Sequence, residues 1–270
     1  MSTVIGLPRP DGTTERRVLR EPVAWPRPAA PPTSRTAYAA AHVVADPLGD
    51  NAPGAPAVVD WDATMAFRRH LWSYGLGVAE AMDTAQRGMG LDWDATRTLI
   101  HRGAAEARAA GGRIAAGAGT DHASADLPGL PAVIAAYEEQ VAVVEDAGAT
   151  VILMASRQLA RLARGPEEYH KVYSRVLEQT TAPVILHWLG PMFDPALEGY
   201  WGSPDLSRAT ASFVDLVRDH AGAIDGVKVS LLDAAHEVAL RRALPAEVKL
   251  YTGDDSPPDR PWSWPPPGHG

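Results

Sequence analysis

Asp225-Gly226-Val227-Lys228-Val229-Ser230-Leu231-Leu232 is the stretch on which the fold turns. Val227, Val229 and Leu231 alternate with Lys228 and Ser230 at a period of two, the spacing of a β-strand. On a strand covered on both faces the Lys228 amine stands in the interior. An ammonium withdrawn from water is destabilised relative to the free amine, so its pKa falls and it becomes a nucleophile at neutral pH. Two readings follow: a lysine that forms a Schiff base, or one paired with an interior carboxylate or reaching solvent from a strand end. The chain has only two other lysines, Lys171 and Lys249, its remaining basic residues being arginine.

Working outward from this strand, apolar runs alternate with amphipathic segments. Strands are expected at 39–45, 77–82, 113–118, 150–155, 184–188, 226–232 and 248–252, and helices between them. In the clearest helix, Leu130, Val133, Ile134, Tyr137, Val141 and Val144 recur at three- and four-residue steps, and Gly148 ends it. Others span 166–179 and 206–220. Asp60-Trp61-Asp62-Ala63-Thr64 returns 32 residues later as Asp92-Trp93-Asp94-Ala95-Thr96, each aspartate placed to cap a helix. That offset matches one unit of an eightfold barrel, where ~250 residues make eight units. Neither Gly-x-Gly-x-x-Gly after the first strand nor a Gly-Lys-Ser/Thr loop occurs, which favours a TIM (β/α)8-type barrel over a nucleotide-binding open sheet.

The ends of the chain differ from this body. Residues 3–7 and 13–19 flank Pro10-Asp11-Gly12 as a hairpin, and prolines from 22 to 32 make an extended connector. The expected division is a hairpin and proline-rich arm (1–36), a barrel (37–255) and a proline-rich tail (256–270) with neither strand nor helix. The barrel is expected to stop after its seventh strand, leaving the first and seventh as edges.

Composition narrows the partners. The 270 residues are 46% hydrophobic and 21% charged, with a formal charge of -8 and no cysteine. That charge, with arginines scattered, argues against nucleic acid, which needs a concentrated basic surface. Disulfides, thiolate metal sites and a cysteine nucleophile are excluded, in keeping with the cytoplasm. No stretch approaches the ~20 apolar residues of a membrane span, and no leader is expected.

In a barrel the active site forms where the strands run into the following loops. Read in chain order, those positions are Asp46, then Asp83 and Thr84, then Thr120, Asp121 and His122. Ser156 and Arg157, His187, Lys228 and Ser230, and finally Asp254 and Asp255 complete the set.

Three of these segments carry a resemblance. Residues 183–191 (Pro-Val-Ile-Leu-His-Trp-Leu-Gly-Pro) resemble the fifth strand of the dihydrodipicolinate synthase and N-acetylneuraminate lyase superfamily. Asp225-Gly226-Val227-Lys228 resembles its sixth strand, with the Schiff-base lysine, and Tyr251-Thr252-Gly253-Asp254-Asp255 its seventh. Residues 113–120 resemble its third. The resemblance runs from about residue 39 to 255 and is to an uncharacterised, dihydrodipicolinate-synthase-like branch. It implies a class I lyase or aldolase acting on a small carbonyl compound without a cofactor. Lys228 then forms the imine, His187 and Thr84 move protons, and Asp83, Ser230, Gly253, Asp254 and Asp255 line the substrate. It also implies a homo-oligomer.

Two departures bear on substrate. Where the superfamily binds the 2-oxo acid carboxylate with hydroxyls and amides, this chain has Met82-Asp83-Thr84-Ala85-Gln86, and Asp83 opposes a second carboxylate. His187 stands in place of a proton-shuttling tyrosine; it serves as acid and base or as a structural imidazole bonded to a carbonyl. Two alternatives stay open. One is a divalent-metal-assisted lyase or isomerase using some of Glu80, Asp83, Asp121, His122 and His187. The other is an inactive, truncated barrel whose lysine is structural.

Overall fold

A computed structural model describes residues 3–21, 26–28, 30–33, 35–52, 55–85, 87 and 90–253. The chain forms two compact units, Met1–Pro31 and Pro32–Gly270. In the first, β1 (Val4–Pro8) pairs antiparallel with β2 (Thr14–Val18), Val4 opposite Val18 and Pro8 opposite Thr14. The turn is held by Asp11, whose Oδ1 accepts from the backbone N and hydroxyl of Thr13 at 3.0 and 2.7 Å. Gly12 supplies the positive φ of 79° that the turn requires.

The second unit is an α/β body built on one parallel sheet of seven strands among the described residues. In chain order they are β3 (Tyr38–Ala40), β4 (Gly77–Glu80), β5 (Ile114–Ala118), β6 (Thr150–Leu153), β7 (Val184–Leu189), β8 (Ile224–Ser230) and β9 (Lys249–Thr252), each paired with the next. Between them run α1 (Trp61–Ser73), α2 (Trp93–Ala110), α3 (Leu130–Ala147), α4 (Arg157–Leu162), α5 (Pro166–Leu177), α6 (Leu206–Asp219) and α7 (Ala234–Ala243). Strand, helix and parallel strand in regular succession curl the sheet into a TIM-type barrel wall with helices outside. Residues 254–270, including Asp254 and Asp255, lie outside the described residues.

The two echoed aspartates act as expected. Asp60 accepts from Ala63 N at 2.9 Å to start α1, and Asp92 from Ala95 N at 2.8 Å to start α2. Gly111 and Gly148, both left-handed, close α2 and α3.

The first barrel strand is shorter than the expected 39–45. Beyond Ala41, whose N–H still donates to Ala79 O at 3.4 Å, the backbone groups bond elsewhere: Val44 N donates to Thr64 Oγ1 at 3.0 Å, and Arg68 Nη1 donates to His42 O at 2.5 Å. Side chains of α1 thus take the place of a ladder, while Ala45 bridges back to Val59.

Strand alternation sorts side chains into two layers. Val78, Ile114, Ala116, Val151, Leu153, Val184, Leu186, Trp188, Val227 and Val229 pack against the helices in one continuous core. Ala79, Ala115, Ile152 and Ile185 face inward with Met82 and Met154, joined by Tyr38 and Tyr251. The rings of Tyr38 and Tyr251, on the two edge strands, meet edge-on with centroids 6.0 Å apart. The sheet therefore curls far enough for its first and last strands to touch through side chains. Among the described residues no helix is long and apolar enough to cross a membrane.

Candidate active site

A bulge sets up the site. Val184 pairs with Ile224 but Ile185 pairs with Gly226, so Asp225 is the extra residue on β8. Asp225 is put to use where it stands, accepting from Lys249 Nζ at 2.5 Å and from the Tyr251 hydroxyl at 2.9 Å. Beyond it the register is regular, and His187 lies directly opposite Lys228. Val227 and Val229 belong to the outer core, so the alternation turns Lys228 and Ser230 inward.

Three side chains meet there. Lys228 Nζ lies 2.9 Å from His187 Nε2 and 3.1 Å from Ser230 Oγ, and the hydroxyl is 3.2 Å from the same imidazole nitrogen. His187 is only 1% exposed, and Lys228 is half-buried. Burial holds the imidazole well below the ordinary 6.5, and the Lys228 charge depresses it further, so His187 is neutral at pH 7. An ammonium has donors only, so His187 Nε2 accepts from it and the imidazole proton sits on Nδ1. That Nδ1 is buried and has no partner among the described residues. Among the described residues the bonds of His187 are to Lys228 and Ser230, and no backbone carbonyl receives its Nδ1–H.

Gly253 leaves room for the lysine. A Cβ on Gly253 would stand 2.5 Å from Ser230 Oγ, 2.9 Å from Val229 O and 3.0 Å from Lys228 Cε. Its N–H meanwhile extends the ladder by donating to Val229 O at 3.0 Å.

Asp83 opens the 3-10 turn Asp83–Ala85 at the carboxyl end of β4. It is half-buried; burial raises its carboxyl above 3.8, while the charges of Lys228 and Arg87 pull it back down. Asp83 and Lys228 thus share one electrostatic environment although their strands are far apart in sheet order. The backbone of Thr84 is the middle of that turn, and its side chain lies outside the described part.

Other mouth residues are committed to the scaffold. Asp121 receives Arg87 in a two-pronged ion pair, Nε to Oδ2 at 3.0 Å and Nη2 to Oδ1 at 2.7 Å. Burial would raise its carboxyl, but the bonds and charge of Arg87 outweigh that and hold it below 3.8. Arg87 also donates to Gly117 O at 2.7 Å, Ala81 O at 3.3 Å and Gln140 Oε1. His122 lies between Gln140 Nε2 (2.7 Å) and Glu139 Oε2 (3.0 Å). Thr120, Ser156 and Gln158 satisfy one another, Thr120 Oγ1 being 2.6 Å from Ser156 Oγ and 2.8 Å from Gln158 Oε1. Arg157 donates to Asp194 at 2.5 Å, and Asp46 accepts from Leu48 N on the surface.

Glu80 corrects the metal reading. It projects to the helix side of β4, fully buried, and receives Arg68 through Nε at 2.9 Å and Nη2 at 2.7 Å. Lys228 and His187 occupy the other face of the sheet. Among the described residues no three of the His, Asp and Glu side chains gather as a metal-binding group. Helical spacing puts Arg68 on one face with Thr64, Met65 and Trp72, all four buried, but does not name its partner. Arg87 carried a weaker signal, an arginine just past a strand end.

Two residues with positive φ stand just past strands that build the mouth: Ala81 (φ 52°) after β4 and Leu232 (φ 55°) after β8. Non-glycine residues adopt this region at a cost, and such positions concentrate at functional sites.

The fold is a TIM-type barrel with Lys228 on the sixth strand of its parallel sheet, similar to that of solved dihydrodipicolinate synthase structures. Solved structures of this fold include dihydrodipicolinate synthase from Oceanobacillus iheyensis (14% identity, TM-score 0.56, covering 78% of this chain and 59% of that one). Another is 4-hydroxy-tetrahydrodipicolinate synthase from Methylacidiphilum fumariolicum SolV (18%, TM-score 0.58, 80% and 61%). A third is YagE of E. coli K12, a dihydrodipicolinic acid synthase family protein solved with pyruvate (14%, TM-score 0.58, 77% and 59%). The chain spans about three fifths of the length of these proteins. It belongs to the family described as protein of unknown function (DUF993), which it matches over residues 5–257. No curated protein matches it.

Proposed function

We propose that this protein is a class I lyase or aldolase in which Lys228 forms a Schiff base with a small carbonyl compound. The observation that carries the reading is the inward amine of Lys228, 2.9 Å from a buried, neutral imidazole and 3.1 Å from a hydroxyl. An ammonium has no lone pair and must first lose a proton. His187 Nε2 is the base within reach, and burial disfavours the charged imidazolium that results, so the proton is held there only briefly. The freed amine attacks the carbonyl carbon and forms a carbinolamine. The proton on His187 then leaves with the carbinolamine hydroxyl as water, and the imine remains. Its protonated form draws electrons from the bond one carbon away, which breaks in a lyase and forms in an aldol addition. Ser230, within hydrogen-bond distance of both nitrogens, carries protons between them.

Sodium cyanoborohydride with a panel of small aldehydes, ketones and 2-oxo acids tests this. A reduced adduct is expected on the peptide containing Lys228, and none at that position in Lys228→Met. Adducts confined to the peptides of Lys171 and Lys249 across the panel count against the proposal.

A further inference from the structure

A second concentration of charge lies at the amino ends of the barrel strands. There a cavity of about 270 Å³ opens between the C-termini of α2 and α3 and the starts of β5 and β6. Arg108, Arg113, Tyr38 and Thr150 line it together with Ala104 and Ile114. The chain has a formal charge of -8, yet no carboxylate lines this cavity among the described residues. Two like charges around one space repel each other, and an anion between them replaces that repulsion with attraction.

Helix capping accounts for only part of this arrangement. Arg108 Nη1 donates to Ala147 O, at the end of α3, at 2.6 Å, which pins its guanidinium and leaves its other N–H groups unused. The last carbonyls of α2 already have donors, Gly112 N to Ala107 O at 2.8 Å and Gly111 N to Arg108 O at 3.4 Å. The Arg113 guanidinium makes no hydrogen bond or ion pair among the described residues. Its backbone is nevertheless fixed, the carbonyl accepting from Trp72 Nε1 at 3.0 Å and from Val78 N at 2.9 Å. Left-handed Gly111 turns the chain between the two arginines, so both border one cavity. The rest of the wall is apolar or hydroxylic: Ala104 and Ile114 are buried core residues, and Tyr38 adds a half-buried ring. The hydroxyls of Tyr38 and Thr150 make no hydrogen bond among the described residues.

We propose that this cavity binds a small organic acid, with Arg113 and Arg108 holding its carboxylate and Tyr38, Ala104 and Ile114 covering its apolar body. A guanidinium offers paired N–H donors that match a carboxylate in shape as well as charge. The volume lies just below the ~300–1,000 Å³ of small-molecule sites, which suits a single ring or a short chain. Neither Lys228 nor His187 lines the cavity, so the proposal stands apart from the imine reading.

Benzoate and hexanoate are the probes, with benzyl alcohol as the uncharged match to benzoate. In calorimetric titrations of the full chain at constant ionic strength, both acids are expected to bind saturably. Benzyl alcohol should bind at least ~10-fold more weakly than benzoate, as loss of a charge-assisted pair requires. Arg113→Ala should weaken both acids by a similar factor without lowering the melting temperature, since that side chain is exposed and unbonded. Benzyl alcohol binding as tightly as benzoate overturns the role of charge, a comparison that needs no variant. Acid binding unchanged in Arg113→Ala overturns the site, and so does the failure of both acids to bind the wild type.

Discussion

Lys228 and His187 are 41 residues apart in sequence and 2.9 Å apart in space, and at the residue scale the chemistry depends on that contact. His187 is the more telling partner for pH. Its folded pKa lies below the unfolded 6.5, so above 6.5 both states are neutral and it costs nothing. As pH falls below 6.5 the unfolded chain takes up a proton that the folded one refuses, and stability declines. The slope from this one group is at most about 1.4 kcal/mol per pH unit. His187→Gln should remove that component: urea melts at pH 7.5 and 5.5 should differ less in the variant than in the wild type. Its labelling by carbonyl compounds should also slow, since a glutamine amide cannot take the lysine proton. Equal acid sensitivity in both proteins would show that the imidazole is not the buried, neutral group described.

At the scale of elements, Gly253 decides whether β9 and β8 can lie together with Lys228 between them. A methyl group there meets Val229 O at 2.9 Å, a backbone atom that cannot swing aside, and Ser230 Oγ at 2.5 Å. Gly253→Ala is expected to cost about 1–3 kcal/mol, the range for overpacking a tight site. It should depress adduct formation at Lys228 more than the stability loss explains, because the added carbon lies 3.0 Å from Lys228 Cε. Intact labelling in a destabilised variant would mean that the methyl is accommodated away from the lysine. The elements themselves were largely legible in the sequence. Apolar runs located each described strand of the barrel sheet, and aspartates placed the starts of α1 and α2. The strand expected over 39–45 stopped at Ala40 because Thr64 and Arg68, both from α1, bond the backbone beyond it. Those partners belong to a different element, and no local pattern displays them.

For the whole molecule, the Arg68–Glu80 pair fastens the opening of the sheet. It joins α1 to β4, and through His42 O to the segment after β3, with both side chains fully buried. Ala81, the left-handed residue that begins the turn leading to Asp83, donates its N–H to the same carboxylate at 3.2 Å. Arg68→Leu would leave Glu80 charged and unpaired in the core, a loss of about 3–5 kcal/mol. Chemical denaturation should show that loss, and Glu80→Gln added to Arg68→Leu should recover part of it by removing the charge. A loss below ~1 kcal/mol would place this pair with the surface bridges, whose contribution is small.

The sequence by itself determined the alternation of strand and helix, the capping aspartates, and the presence of Lys228 and Ser230 on one face of a barrel strand. Those features follow from periodicity and local hydrogen bonding, which the residues near in sequence dictate. Tertiary structure alone decided that Glu80 faces Arg68 instead of the site, that Arg87 is used up on Asp121, and that His187 reaches Lys228. Each depends on which strand lies beside which, in what register, and around which bulge. A period of two fixes the faces of one strand relative to each other, but only the curled and registered sheet brings side chains from separate strands within bonding distance.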